Sequence, residues 1–245
     1  QADVVTLNLT TSAGQVTVDS GTASGLHGTL TTNVEAWRAQ TSSSGGSISI
    51  TQGTASADVI PDAQNAWDLH LGNDTPLILT HTNTAADTTL NLGGLAMAQL
   101  NVTATSGDYV LRYATPNPQS DGGTATFQIG NGSLDAAGLI GSHLSSLAVT
   151  TTGGNVRLTF EGGALAQDMS VRIDTQAGDV LLKIPPSVPT EVIYRTSSGT
   201  VLETDPAYTQ VNTITYTLGG GTAGEVPSLS IEIRTVIGDL RLAGA

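Results

Sequence analysis

The stretch Val171-Arg-Ile-Asp-Thr-Gln-Ala-Gly-Asp-Val-Leu-Leu182 alternates apolar and polar residues, breaks at Gly178-Asp179, and then resumes the alternation. A period of two puts every second side chain on one face of a β-strand. Glycine takes positive φ without a Cβ penalty, and the following Asp or Asn can bond nearby backbone, so Gly178-Asp179 is a corner. The phrase returns at Leu147–Leu158 with Gly154-Asn155, at Leu100–Leu111 with Gly107-Asp108 and at Leu229–Leu242 with Gly238-Asp239; a weaker copy surrounds Gly14. Gly199-Thr200 is a further corner. Markers at Asp87, Asp108, Asn131, Asn155, Asp179, Thr200, Gly220 and Asp239 are 19 to 24 residues apart.

Strand, corner and strand at a fixed period specify a rung that buries its inner face only by stacking on its neighbours. The expected fold is therefore all-β: a single-stranded β-solenoid (β-helix) with rungs of about 20–24 residues. A β-sandwich also has regular turns, but it seldom repeats one phrase at one turn. The expected organisation is a single domain over 1–245, with an irregular N-terminal capping part at 1–70 and regular rungs at 71–245. Within the first part, Val34 to Ala39 fits a helical turn and Pro61 to Trp67 reads as a loop. Capping of the exposed core accounts for Trp37 and Trp67.

Composition narrows the function. The 245 residues carry 21 acids against 8 bases, a net charge of −13, and Lys183 is the single lysine. No basic stripe exists to neutralise phosphates, which argues against nucleic acid. Cysteine is absent, which removes disulfides, thiol nucleophiles and zinc ribbons. No apolar run approaches the roughly 18 residues of a membrane helix, and no signal peptide is visible at the start. An acidic, lysine-poor chain rich in Thr, Ser and Gly fits a secreted, cell-surface or periplasmic-side protein of a bacterial envelope.

Thr175-x-x-Gly-Asp-Val-x-Leu182 and Thr235-x-x-Gly-Asp-Leu-x-Leu242, with Leu90-Asn-Leu-Gly-Gly-Leu-Ala-Met-Ala-Gln-Leu-Asn-Val102, resemble the toastrack, or "putative adhesin", family of bacterial β-solenoids. They are also similar to the cell-wall-active-antibiotic-response domains. The resemblance is strongest over 70–245 and weak over 1–70. It implies a non-catalytic, envelope-associated or secreted module for adhesion, scaffolding or stress signalling, and it brings no catalytic residue.

The candidate chemical groups agree with this. Asp58, Asp62, Asp68 and Asp74 cluster in a loop-rich stretch, where a polysaccharide-active enzyme would need a carboxylate pair at a set distance; solvated turn acids explain them as well. Of the four histidines, His70 lies on the polar side of its strand and His81 has the parity of the inward Leu77 and Leu79. His27 and His143 stand apart beside small residues, so no metal site is expected, and no cofactor fingerprint occurs. Tyr109 and Tyr194 occupy positions where Val or Ile stand elsewhere, which assigns them to the core. The corner residues Gly107, Asp108, Gly154, Asn155, Gly178, Asp179, Gly199, Gly238 and Asp239 are structural turns, not a calcium repeat.

Three functions follow. The first is a non-enzymatic adhesin-like or scaffolding module that contacts a protein partner, or cell-wall and surface glycans. The second is a self-assembling filament or matrix subunit joined by β-strand addition. Its association edges are read at Val4, Val5, Leu7 and Leu9 near one terminus and at Ile231, Ile233, Leu240 and Leu242 near the other. The third is the polysaccharide-active enzyme.

Overall fold

The computed structural model describes residues 4–21, 25–54, 62–73, 75–118, 122–219 and 226–244. Twenty strands among them form one continuous sheet. In chain order they are β1 (Val5–Ser20), β2 (Leu26–Thr32), β3 (Ala39–Ser44), β4 (Ser47–Gln52), β5 (Asn65–Leu71), β6 (Leu77–Asn91), β7 (Met97–Ser106), β8 (Tyr109–Arg112), β9 (Gly123–Asn131) and β10 (Leu134–Ala137). Then come β11 (Leu144–Gly153), β12 (Val156–Thr159), β13 (Met169–Ala177), β14 (Val180–Ile184), β15 (Thr190–Ser198), β16 (Val201–Thr204), β17 (Tyr208–Asn212), β18 (Thr215–Leu218), β19 (Leu229–Ile237) and β20 (Leu240–Gly244).

A rung consists of a longer strand, a corner and a shorter strand, as in β7–β8 or β13–β14; β1 and β6 each pass through the corner as one strand. Rungs stack by parallel pairing, in register apart from local shifts such as those at Leu77/Ile78 and Leu144/Ser146. On the longer strands Leu79, Leu100, Ala125, Leu147 and Val171 lie over one another, so the steps are 21, 25, 22 and 24 residues. On the shorter strands Leu90, Leu111, Ala136, Leu158 and Leu182 do the same. These columns are buried and belong to one apolar core, whose largest fully buried side chains are Trp67, Tyr109, Phe127 and Phe160. Tyr109 and Tyr194 lie in that core, as their strand positions predict. The alternation recognised in the sequence is thus the in–out alternation of a stacked solenoid.

Order in space departs from order in the chain at both ends. The last strands, β19 and β20, are inserted between β13–β14 on one side and β15–β16 on the other. At the opposite end β1 lies between β6 and the pair β4 and β5. This corrects the edge reading. Val5, Leu7, Leu9, Ile231, Ile233, Leu240 and Leu242 stand in strands bonded on both sides, and all but the half-buried Val5 are fully buried. Val4, just before β1, is exposed. An apolar alternating terminus reads the same whether it closes a stack or sits inside it, and consecutive strands are usually neighbours; here they are not.

The excursions that free these termini cap the stack. β3 runs antiparallel on β4 and β2 antiparallel on β5. At the other end β18 runs antiparallel on β15, and β17 on β18. The expected helical turn is a 3-10 turn at Glu35–Trp37. The loop expected up to Trp67 is shorter than that, because β5 already begins at Asn65 and Trp67 is a core residue. Asp58, Pro61, Asp74 and the marker Gly220 lie outside the described residues.

Candidate interaction surface

The corners hold the rungs in register. Gly107, Gly132, Gly154, Gly178 and Gly238 all have φ between +108° and +154°, a region that L side chains avoid. They are also crowded: a Cβ on Gly154 would overlap the carbonyl oxygen of Gly132, one on Gly178 that of Gly154, and one on Gly238 that of Gly178. Gly199 would meet the Gly238 carbonyl in the same way. Stacking, as much as dihedral preference, therefore requires glycine in this column.

The residue after each glycine builds a ladder. The Asp108 amide donates to Asp87 Oδ1 at 3.0 Å, Ser133 to Asp108 Oδ1 at 2.8 Å and Asn155 to Ser133 Oγ at 3.3 Å. Beyond it Asp179 donates to Asn155 Oδ1 at 2.9 Å, Asp239 to Asp179 Oδ1 at 2.9 Å, and Thr200 to Asp239 Oδ1 at 2.8 Å. Two expectations change. Ser133, not Asn131, occupies the corner after Gly132. Asp179 and Asp239 are direct neighbours rather than separated by Thr200 and Gly220. Each carboxylate faces an amide N–H instead of another carboxylate, so charge-assisted bonds offset the repulsion of stacked acids. The motif threonines point inward, and Thr151 Oγ1 donates to Thr175 Oγ1 at 3.0 Å.

Outward from the longer strands lies a regular face. One row runs Ser49, Asn8, Thr80, Asn101 and Thr126; the next runs Thr51, Thr10, Thr82, Thr103, Gln128 and Thr150. Strand spacing sets about 4.8 Å between neighbours in a row, and two residues of strand set about 6.8 Å between rows. The side chains are exposed or half-buried. They form a lattice of neutral donors and acceptors without an aromatic platform.

Towards β15 the same rows turn ionic. Arg172 donates to Asp174 Oδ2 at 2.6 Å, and Glu232 accepts from Arg234 at 2.9 Å and from Arg195. The Arg234 hydrogen bond leads the causes that hold the Glu232 carboxyl below its ordinary pKa, with Arg195 and Arg172 adding to it. Three of the chain's eight bases gather in this patch. Such exposed pairs add little stability, so their effect is to set the local charge of the face.

Inside, His81 is the inward histidine that strand parity predicts. Its Nε2 is 2.8 Å from Thr11 Oγ1. Thr11 also donates to Asn83 Oδ1 at 3.1 Å, and Asn83 Nδ2 reaches the Ala86 carbonyl and Tyr109 Oη at 2.6 and 3.0 Å. Burial lowers the His81 pKa to about 4 and raises that of Tyr109 to about 12. The group is thus a neutral, bonded core network. His70 faces outward as expected; His27 lies opposite it across the β2–β5 pair, a juxtaposition that spacing along the chain did not show. His143 closes a short 3-10 turn, Leu139–Ser142, in left-handed conformation. Of the acids read as an enzymatic cluster, Asp62 sits in a turn with φ +54° and Asp68 faces outward from β5.

Residues 1–121 match the N-terminal domain of toast_rack, DUF2154. Those residues form a toastrack N-terminal domain. The match includes the first 70 residues, where the corner phrase is faintest, so it does not depend on the regular copies further along. Two crystal structures resemble the toastrack chain along nearly its whole length. One is a putative cell adhesion protein from Clostridium sporogenes, 13% identical, with 100% of this chain and 94% of that one covered and a TM-score of 0.50. The other is a putative adhesin from Bacteroides fragilis, 10% identical, covering 98% and 93%, with a TM-score of 0.42. At these identities the likeness to the first is one of fold. No curated protein matches the sequence. Among the described residues, no helix is long and apolar enough to cross a membrane.

Proposed function

We propose that this toastrack chain is a non-enzymatic, adhesin-like module, secreted or held at a bacterial envelope, that contacts its partner through the outer face of its longer strands. The observation that carries this reading is the pair of in-register rows from Ser49 to Thr126 and from Thr51 to Thr150. Repeated hydroxyl and amide groups at fixed spacing suit a partner that is itself extended and polar, such as a glycan strand or a β-rich protein surface. The cell adhesion name of the fold relative from Clostridium sporogenes agrees with a contact role.

The test is binding of the fluorescently labelled chain to whole bacteria and to purified cell-wall sacculi. Replacing Thr82, Thr103 and Thr126 together by Glu should reduce binding at least tenfold while leaving the circular dichroism spectrum unchanged. Undiminished binding would remove this face from the mechanism.

A second reading, self-assembly, is supported by four strands that, among the described residues, pair on one side only. They are β2 and β3 at one end, β16 and β17 at the other. Leu202 and Val211, on β16 and β17, are 52% and 60% exposed. Open edges of this kind accept strands from a second chain. Negative-stain electron microscopy across concentration and pH separates the readings, since filaments support strand addition and discrete single particles contradict it.

A further inference from the structure

Where β2 closes the stack, four side chains from two distant stretches of the sequence fall on one patch of outer sheet. His27 is paired with His70, and His70 with Asp19, so that β2, β5 and β1 each contribute one residue to a single lateral row. Asp68 stands two positions from His70 on the same side of β5, with Oδ1 3.4 Å from His70 Nε2. One ligand atom each from Asp19, Asp68 and His70 lies within 4.8 Å of the others. Asn91, next in the row on β6, donates to Asp19 Oδ1 at 2.6 Å and orients that carboxylate. Arg112 follows Asn91 in the row but bonds Asp135 at 3.1 Å.

We propose that Asp19, Asp68 and His70, completed by His27, bind a divalent transition-metal ion of the zinc class. Two carboxylates supply two negative charges for a dication. Imidazole nitrogens favour zinc, cobalt, nickel or copper over calcium and magnesium, which take oxygen ligands. Opposed residues on paired strands have Cβ atoms about 4.5–5.5 Å apart, so their side chains can close on an ion about 2.0–2.2 Å from each donor atom. Asn91 then acts as the outer group that fixes a ligand's direction. The ion joins the edge strand β2 to β5 and β1, and so fastens the cap.

The test is calorimetric titration of the metal-free full chain with Zn²⁺, with Co²⁺ absorption spectra to report the ligand field. One ion per chain is expected, with low-coordinate Co²⁺ bands that Ca²⁺ in excess does not abolish. His70→Ala and Asp19→Asn should each weaken binding by more than about tenfold, since even an outer-shell partner contributes about 10–100-fold. His143→Asn, at a left-handed position that Asn tolerates, should bind as the wild type does. Circular dichroism verifies that the variants are folded, and Zn²⁺ should raise the melting temperature of the wild type but not of His70→Ala. No saturable uptake by the wild-type chain, or unchanged affinity in folded His70→Ala, overturns the proposal.

Discussion

The middle of the stack and its two ends use the same alternating strands for different purposes. From β6 to β14 each rung follows its predecessor and pairs in parallel, and from β7 onward each turns on a crowded glycine. At both ends the chain breaks this order: a terminal strand is enclosed inside the stack, and an antiparallel excursion covers what would otherwise be open. The difference teaches that a solenoid is closed by connection rather than by composition. The apolar strands β19 and β20 are enclosed because β15 and β16 lie beyond them. The ends also differ from each other. The β3 edge, Ala39-Gln-Thr-Ser-Ser-Ser44, presents hydroxyls, whereas β16 and β17 present Leu202 and Val211.

The comparison breaks most visibly at the corners. Gly178 and Gly163 both have positive φ, +142° and +109°, but only Gly178 faces a carbonyl where its Cβ would be. Urea unfolding should show Gly178→Ala losing about 4 kcal/mol or more, or failing to fold, and Gly163→Ala losing about 1 kcal/mol from dihedral strain alone. Equal losses would mean that stacking does not set the requirement.

Next in size is the enclosed terminus. Ile233→Ala should cost about 2–5 kcal/mol, within about 1 kcal/mol of Ile173→Ala in the preceding rung of the stack. A much smaller cost in the same unfolding experiment would make β19 a frayed edge.

His81 sharpens the comparison within the regular rungs. Its pKa of about 4 in the folded chain lies below the ordinary 6.5, so between these values the unfolded chain binds a proton that the native one does not. The resulting stability is complete above pH 6.5 and is lost as pH falls to about 4, a difference of roughly 3 kcal/mol. Urea midpoints at pH 7 and about pH 4.5 should converge for the wild type and His81→Gln by most of that amount. Parallel pH profiles would place the imidazole in contact with water.

The smallest effect on stability belongs to the open edge. Val211→Lys should change unfolding free energy by less than about 0.5 kcal/mol, while any concentration-dependent growth seen by light scattering disappears. Persistent association would locate the contact elsewhere.

Much of the fold was legible because its causes are local. Alternation around Gly178-Asp179, with copies at Gly154-Asn155 and Gly107-Asp108, encodes strand, corner and strand together, and parity alone turned His81 inward. What escaped is long-range. Nothing within Leu229–Leu242 records that two other rungs flank it, and the period slipped at Ser133 because a serine there serves as well as Asn or Asp. The His27–His70 pair was hidden for the same reason. Two histidines 43 positions apart meet only because β2 folds back antiparallel on β5.

Hydrogen exchange followed by mass spectrometry tests the enclosure of the termini most directly. Amides of β1, β19 and β20 should exchange as slowly as those of β13 and β14, while β3, β16 and β17 exchange much faster. Fast exchange across 229–244 would contradict the account and return the C-terminal strands to the edge of the stack.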